Sequence, residues 1–333
     1  MKRIGYLIEK VADPDNLRLA YWKAQKGKEA KPEIIKYLRE LETNLQIIRK
    51  QILSGSIEIG NYRLFTIYDP KERQICAAPF AQRVLHHALM NICHPYLEKK
   101  QIFDSYASRL CKGTYAALNR AASFTNKYTW FLKLDVRKYF DNINHVILKE
   151  QLSNMFKDER LLQIFYAIID SYEVSDGKGL PIGNLTSQYF ANHYLSVADH
   201  FVKEKLEIPA YVRYMDDMVL WHNDKNTLLE KGKIFEMFIS KELDLKLKPF
   251  CFNSNNESLQ FLGYLLHKNK IQLAQRSKRR FINKITLFEH KLKDGLLSQK
   301  EYQQHVLPLV SFTQYAEARG FREKIISQLG QVS

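Results

Sequence analysis

The chain has 333 residues, of which 51 are Lys or Arg and 36 are Asp or Glu, giving a formal net charge of +15. A chain of this length can bury a large core divided into subdomains, and its positive charge favours a polyanionic partner such as a nucleic acid. No apolar run approaches the roughly 18 residues of a transmembrane helix, and the first residues lack a signal-peptide pattern. The four cysteines show no paired spacing, so we expect reduced interior thiols in a cytoplasmic protein without membrane association.

Apolar residues at helical spacing predict several long helices, with a break or a helix start at Pro32. Alternating or continuous apolar runs predict the strands. The predicted helices cover 17–53, 81–97, 114–127, 146–172, 187–205 and 226–243. A hairpin is predicted over 57–67, and further strands over 259–267 and 271–274.

Two adjacent carboxylates, Asp216 and Asp217, interrupt an apolar stretch that runs from Tyr211 to Trp221. The flanking runs are rich in β-branched, aromatic and aliphatic residues, which predicts two strands joined by a tight turn at the two acidic residues. Asp tolerates the positive φ that such turns need. Two like charges at the tip repel each other unless a cation lies beside them, so the pattern favours a divalent metal ion. An acidic surface turn that binds nothing is the alternative.

A third carboxylate, Asp135, follows the strand-like alternation that begins at Trp130. Asp is disfavoured inside strands unless it faces a ligand, although a helix cap before Val136 is an alternative interpretation. Oxygen ligands suit Mg²⁺, which combines a few carboxylates with substrate phosphates. Two such ions would activate an attacking hydroxyl and stabilise a leaving oxygen in phosphoryl transfer.

These motifs resemble those of reverse transcriptases. Tyr214-Met215-Asp216-Asp217 resembles the signature box of the family, the segment around Asp135 its first catalytic palm motif, and Phe261-Leu262-Gly263-Tyr264 the later motif that grips the primer end. The resemblance implies an α+β right-hand polymerase with fingers, a palm containing an antiparallel sheet, and a helical thumb. Its expected divisions are an N-terminal helical extension over 1–56, interleaved fingers and palm over 57–275, and the thumb over 276–333.

The resemblance also implies an RNA-directed DNA polymerase that copies template RNA into cDNA from deoxynucleoside triphosphates, with an RNA–DNA hybrid in its cleft. Two Mg²⁺ ions are the implied cofactors, with Mn²⁺ as an alternative. The implied metal ligands are Asp135, Asp216, Asp217 and the Val136 carbonyl. The implied nucleotide contacts are Lys71, Arg73, Phe140, Ile182, Gly183 and Lys248, with Phe140 at the position of a steric gate against a 2′-hydroxyl. The implied primer or template contacts are Tyr214, Met215, Phe261, Leu262, Gly263, Tyr264, Arg279 and Arg280.

A narrower resemblance lies in the segment from Gly179 to Gln188. Group II intron and retron enzymes usually have Gln before the second Gly and Ser-Pro at the end, whereas this chain has Ile182 there and ends in Ser187-Gln188. That variant resembles the reverse transcriptases of diversity-generating retroelements, which misincorporate opposite template adenine. An apolar wall discriminates less than hydrogen bonds do, which suits an error-prone pocket, while an Ile packed in the core is the alternative.

This subclass implies a small basic accessory protein as a further partner. A retron-type or phage-defence reverse transcriptase is the enzymatic alternative, and a non-catalytic RNA-binding scaffold is the alternative from another class. From Arg276 to the end the chain carries 11 basic and 5 acidic residues. In a reverse transcriptase this segment would lie against the A-like template–primer duplex, and a solvated helix face is the alternative.

Overall fold

The computed structural model describes residues 3–68 and 72–330. Within these ranges the helices are α1 (Ile8–Val11), α2 (Pro14–Gln25), α3 (Pro32–Arg39), α4 (Leu41–Ser54), α5 (Phe80–Lys99), α6 (Thr114–Lys127), α7 (His145–Met155), α8 (Glu159–Asp170), α9 (Leu185–Tyr194), α10 (Ser196–His200), α11 (Lys225–Leu243), α12 (Gln275–Lys293), α13 (Gln299–Gln314) and α14 (Arg319–Gly330). The strands are β1 (Arg63–Ile67), β2 (Arg73–Ala77), β3 (Trp130–Asp135), β4 (Ala210–Tyr214), β5 (Asp217–His222), β6 (Cys251–Ser254), β7 (Leu259–Phe261), β8 (Tyr264–His267) and β9 (Lys270–Leu273).

The strands form three antiparallel sheets. The β1–β2 hairpin is a sheet of its own, the central sheet has the order β4-β5-β3-β6, and the small sheet has the order β7-β8-β9. In the central sheet β3 lies between β5 and β6 and pairs antiparallel with both. Asp135 therefore lies at the end of an inner strand of the sheet.

The two faces of the central sheet have different neighbours because side chains alternate along each strand. Leu132, Leu134 and Leu220 point toward the helices and join the large hydrophobic core. Phe131 and Trp221 point the other way and pack with residues of the small sheet. We call this second side the open face. At the end of the sheet where β3 finishes and β5 begins, this side carries polar residues and is not covered by the hydrophobic cluster of the small sheet.

The N-terminal helices belong to the same large core as the helical side of the central sheet. Their buried residues include Leu17, Ile48 and Ile52, in one cluster with Leu132 and Leu220. Local signals define where these helices start and stop. The Asp13 side chain caps α2 by accepting from the backbone N–H of residues 15 and 16, and α4 ends at a glycine with positive φ.

Several predicted elements are confirmed, and others are wrong in their boundaries. The helix predicted over 114–127 is α6. The helix start expected at Pro32 is the start of α3, and 146–172 is largely helical as expected, as α7 and α8. The long helix expected over 187–205 is divided into α9, α10 and a π-helical turn over Phe201–Lys205. The hairpin predicted over 57–67 is wrong, because only 63–67 forms a strand and its partner is β2.

Two further expectations need correction. The strand predicted over 259–267 is broken by a turn at Leu262 and Gly263, so it forms β7 and β8. The cysteines are all free, but Cys111 and Cys251 are exposed rather than interior. No helix of the described residues is long and apolar enough to cross a membrane.

Candidate active site

Asp135 and Asp217 face each other at one end of the central sheet. Asp135 is the last residue of β3, Asp217 is the first of β5, and the two are direct partners in the antiparallel register. Side chains of directly paired residues lie on the same face, with Cβ atoms about 4.5–5.5 Å apart. The register therefore brings together two of the three carboxylates on which the metal-site hypothesis depends, and both are half-buried.

The third carboxylate, Asp216, lies in the turn between β4 and β5. The register pairs Tyr214 with Asp217, so the two turn residues are Met215 and Asp216. This corrects the prediction that both acidic residues form the turn. The positive φ (56°) also falls on Met215 and not on an aspartate, which leaves Asp217 in extended backbone where it can face Asp135.

Two lysines neutralise the carboxylates in this conformation. Lys248 Nζ donates to Asp135 Oδ1 at 2.7 Å, and the backbone N–H of Lys248 also donates to the Asp135 carbonyl at 2.8 Å. Lys133 Nζ lies 3.2 Å from Asp217 Oδ1. Lys248 was predicted as a nucleotide contact, and in the structure it pairs with the Asp135 carboxylate.

Burial changes the acidity of the two neighbouring aspartates. It raises the pKa of Asp217 to about 6, because the charged form loses hydration, and the Lys133 ammonium opposes this while Asp216 and Asp135 add to it. Burial also raises the pKa of Asp216, with a further increase from the charge of Asp135. The carboxylates thus repel one another electrostatically, which is the condition that a bound cation relieves.

The donors present suit a hard divalent cation, although they do not form a closed cage. Among residues 3–68 and 72–330, no group of three or more His, Cys, Asp or Glu side chains is arranged to hold a metal ion. Two of the carboxylates are engaged with lysines instead. However, Asp217 Oδ1 is buried and accepts no hydrogen bond from the described residues, since its contact with Lys133 is an ion pair without hydrogen-bond geometry. An all-oxygen donor set with such an orphaned carboxylate oxygen fits Mg²⁺.

Val136 follows Asp135 and forms an isolated antiparallel bridge with Leu247. The two hydrogen bonds of this bridge come from the neighbouring residues, namely Lys248 N–H to the Asp135 carbonyl and Arg137 N–H to the Lys246 carbonyl. The Val136 carbonyl is not used by the bridge. The helix-cap interpretation of Asp135 does not hold, because the next helical turn begins only at Tyr139.

Apart from Lys248, the expected nucleotide-side residues come from three segments of the chain. Arg73 begins β2 and is exposed. Burial raises the pKa of Asp216, and the charge of Arg73 is among those that lower it. Phe140 is half-buried and packs edge-on against Tyr139 with ring centroids 5.7 Å apart. The Lys71 prediction lies outside the described residues.

Ile182 and Gly183 lie against strand β2. The backbone N–H of Cys76 donates to the Ile182 carbonyl at 2.7 Å. Gly183 has a φ of +114°, and a Cβ there would come within 2.9 Å of the Ile75 side chain and 3.2 Å of the Cys76 carbonyl. Glycine is therefore required at this close approach. Ile182 itself is half-buried and lies outside the hydrophobic core clusters of the described residues, so the core-packing alternative receives no support.

The residues expected to contact the primer end lie in the β7–β8 turn and at the strand ends on either side of it. Phe261 and Tyr264 are fully buried, whereas Leu262 and Gly263 form the turn with φ values of 48° and 90°. Ser277 Oγ of α12 donates to the Gly263 carbonyl at 2.7 Å. The turn is therefore attached to the first turn of α12.

Other expected contacts lie on either side of this turn. Arg279 and Arg280 follow Ser277 on α12, and both are exposed. Tyr214 Oη accepts from the Thr114 hydroxyl at 3.2 Å, which joins the start of α6 to the β4–β5 hairpin.

Sequence reasoning missed a buried ion pair beneath the β4–β5 hairpin. Arg213 and Asp199 are both fully buried, and two guanidinium nitrogens donate to the two carboxylate oxygens at 2.6 Å each. Arg213 Nη1 also donates to the Met215 carbonyl at 3.0 Å. The signal was present as a charged residue within an otherwise apolar strand. Lys133, two residues before Asp135 and so on the same face of β3, was missed as well.

The antiparallel sheet with paired carboxylates, the helices on its back, and the hairpin attached to C-terminal helices define the right-hand polymerase fold. The structure of telomerase from Candida albicans with a TWJ fragment of telomeric RNA is similar, with a TM-score of 0.53 and 13% identity, covering 87% of this chain and 61% of that chain. At this level of identity the similarity shows the fold.

Residues 68–266 match the family model of reverse transcriptase (RNA-dependent DNA polymerase). The match covers more than half of the chain, and the chain belongs to this family. The putative COX1/OXI3 intron 1 protein of Saccharomyces cerevisiae is 19% identical over 307 residues, 84% of this chain and 36% of that protein. The group II intron-encoded protein LtrA of Lactococcus lactis subsp. cremoris is 24% identical over 212 residues, 58% of this chain and 35% of that protein. The chain therefore spans about a third of the length of these two relatives.

Proposed function

We propose that the protein is an RNA-directed DNA polymerase that extends a primer 3′-hydroxyl with deoxynucleotides on an RNA template. The observation that carries this proposal is the pairing of Asp135 with Asp217 at the end of the central sheet, with Asp216 in the adjoining turn. Three carboxylates at one sheet end, in a protein of net charge +15, suit phosphoryl transfer on a polyanion.

Asp135, Asp217, Asp216 and the Val136 carbonyl would hold two divalent ions, Mg²⁺ first and Mn²⁺ as the alternative. When bound, such ions supply Lewis-acid chemistry, which favours the ionised form of the primer hydroxyl and balances charge on the leaving phosphate. The protein's own contribution is to keep the carboxylates together and half-buried. Lys248 must release Asp135 for that oxygen to serve as a ligand, and the released ammonium is then free to contact a nucleotide phosphate.

The positions of the other residues suggest their contacts with the nucleotide, the primer and the duplex. Arg73, which acts electrostatically on Asp216, would bind triphosphate oxygens through its fork of donors. Phe140 would exclude a 2′-hydroxyl from the sugar position. The β7–β8 turn would hold the primer end, and Arg279 and Arg280 would contact the RNA–DNA duplex.

Primer extension on a defined RNA template tests this function. With the four deoxynucleoside triphosphates the parent protein should extend a DNA primer to the template 5′ end, and with the four ribonucleoside triphosphates it should not. Phe140→Val should gain ribonucleotide addition by roughly tenfold or more, equivalent to about 1.4 kcal/mol. A parent protein that binds the hybrid but never extends it would be a non-catalytic RNA-binding scaffold, and the proposed activity would be wrong.

Within this family we further propose the error-prone subclass found in diversity-generating retroelements. The support is the Ile182 variant of the motif, together with the position of Ile182 beside β2 and outside the core. A methyl-bearing wall makes no hydrogen bond to a nascent base pair, so it rejects a mismatch weakly. A dedicated template RNA and a small basic accessory protein are the partners that this subclass implies.

The error spectrum tests the subclass. Sequencing of cDNA made on one RNA template should show misincorporation concentrated opposite adenine in the parent. Ile182→Gln should reduce it several-fold, while the matched control Ile182→Val, which keeps an apolar wall, should not. If parent and Ile182→Gln give the same spectrum, Ile182 does not set fidelity. A parent spectrum without an adenine bias would favour a retron-type or phage-defence enzyme.

A further inference from the structure

Lys133 connects the catalytic end of the central sheet to the strand before the β7–β8 turn. Its Nζ donates to the Gln260 carbonyl of β7 at 2.8 Å and lies 3.2 Å from Asp217 Oδ1. The side chain projects from the open face, because it lies two residues before Asp135 on β3. One ammonium group therefore touches both a catalytic-motif carboxylate and the backbone of the hairpin that precedes Leu262 and Gly263.

Besides this contact, apolar side chains pack between the two sheets. In the part of the chain that the structure describes, no hydrogen-bonded strand pair joins the small sheet to the central sheet. Their contact is a hydrophobic cluster that includes Phe131, Trp221, Phe261 and Tyr264. Apolar contacts are non-directional, whereas the hydrogen bond from Lys133 to the Gln260 carbonyl is directional, and the same ammonium forms an ion pair with Asp217. Lys133 supplies such a directional link beside Asp217.

We propose that Lys133 is a positioning residue that keeps the primer-holding β7–β8 turn in register with Asp217. The proposal rests on the polymerase function proposed above. It adds to that function a residue that touches no substrate and acts through Gln260 and Asp217. Lys133 holds β7 by its backbone at Gln260, and the turn two residues further on holds the primer end. The Lys133 side chain thereby sets the distance between the primer 3′-hydroxyl and the carboxylates.

The expected effect is on the rate of chemistry rather than on binding. A reacting atom misplaced by about 1 Å lowers the rate by about 100-fold, while the β7–β8 turn stays attached to α12 through Ser277. Loss of Lys133 should therefore leave the duplex-binding surface in place. Lys133→Arg keeps a charged donor that can reach both acceptors, so it should retain more activity than Lys133→Met.

Rapid-quench single-nucleotide incorporation on a pre-bound RNA–DNA primer–template separates these effects. The burst amplitude reports the fraction of competent enzyme, and the burst rate reports the alignment of the reacting groups. For Lys133→Met we expect a burst rate lower by at least about tenfold, equivalent to about 1.4 kcal/mol, with Kd for the primer–template unchanged within about threefold. Lys133→Arg should recover part of the rate. Lys270→Met is the matched control, because it removes a lysine at the start of β9 that pairs with Glu317 instead.

The outcomes distinguish this role from the proposed function. If the parent extends primers and Lys133→Met has the parent's burst rate, the positioning role is wrong while the polymerase remains. If Lys133→Met lowers only the burst amplitude, Lys133 is structural and the role is equally wrong. If the parent itself incorporates no nucleotide, the proposed function fails, and the role that rests on it falls too.

Discussion

Asp135 and Asp217 are direct cross-strand partners at the end of β3 and β5, although a long stretch of the chain separates them in sequence. The pairing results from the register of two apolar strands, in which Leu132 opposes Leu220 and Leu134 opposes Met218. A shift of one residue would turn every side chain to the other face. The packing of the helical core therefore fixes the position of the carboxylates.

Gly263 is the point where the β7–β8 turn touches the C-terminal helices. Its φ is +90°, and a Cβ there would lie 2.9 Å from Ser277 Oγ and 3.1 Å from Phe312 Cζ. Gly263→Ala should therefore combine backbone strain of about 1–3 kcal/mol with displacement of α12 or α13. We expect a lower free energy of unfolding, measured in urea, and weaker binding of a primer–template.

Gly295→Ala is the matched control for this prediction. Gly295 also has a positive φ (+68°), but nothing lies within 4 Å of its Cβ position among the described residues. It should lower the free energy of unfolding by the strain alone and leave primer–template affinity unchanged. Equal effects of the two substitutions on affinity would show that contact with α12 and α13 is not needed for binding.

Charge reversal on α12 should weaken hybrid binding. Arg279 is exposed on the first two turns of α12, next to the attached β7–β8 turn. Each neutralised phosphate contributes about 0.9 to the slope of log affinity against log salt concentration. Arg279→Glu should therefore lower affinity for an RNA–DNA hybrid and make the slope shallower by about 1, as measured by fluorescence anisotropy across a salt titration.

The control for Arg279 is a charge reversal elsewhere on the surface. Lys241 is highly exposed and lies on α11, which packs against the helical side of the central sheet. Lys241→Glu changes net charge by the same amount and should leave the salt slope unchanged. If both variants lose the same affinity, general electrostatic attraction and not a contact from α12 accounts for binding.

A buried histidine should make the fold sensitive to acid. His193 on α9 is buried, neither ring nitrogen has a hydrogen-bond partner among the described residues, and burial lowers its pKa to about 4. The unfolded chain, with a histidine pKa of about 6.5, takes up a proton that the folded protein does not bind. His193 therefore makes folding less favourable as the pH falls from about 6.5 to about 4.

Urea unfolding at pH 7 and pH 5 checks this effect. His193→Leu should reduce the pH-dependent loss of unfolding free energy by about 1–2 kcal/mol relative to the parent. Phe190→Leu, at a buried residue of α9 that carries no ionisable group, should leave the loss unchanged. An identical pH dependence in the parent and His193→Leu would contradict the inferred protonation difference.

The sequence alone was sufficient to predict an element where one local pattern determined its structure. The helical periodicity of 114–127 identified α6 to the residue, and strand alternation placed Asp135 at a strand end. The apolar runs around Asp216 likewise located β4 and β5. In these segments local preference and tertiary packing agree.

The sequence alone was insufficient to predict pairings and contacts where distant parts of the chain decide the geometry. The partner of β1 is β2, which apolar runs near 57–67 could not reveal. The positive φ at Met215 depends on the register of β4 against β5 and on the hydrogen bond from Arg213 to its carbonyl. The link from Lys133 to the Gln260 carbonyl joins residues of two different sheets. Such contacts are set by tertiary structure, which single-sequence patterns do not contain.

Mg²⁺-dependent incorporation of one deoxynucleotide on an RNA template, compared between the parent and Asp216→Asn, tests whether the three carboxylates hold the ions. Asp216 lies in the turn without a direct lysine contact among the described ion pairs, so the amide changes charge with little change in shape. If the carboxylates hold the ions, the variant should lose at least about 100-fold in rate, roughly 3 kcal/mol. Asp224→Asn, which keeps a good N-cap on α11, should match the parent. An Asp216→Asn protein as fast as the parent at every Mg²⁺ concentration would contradict the account.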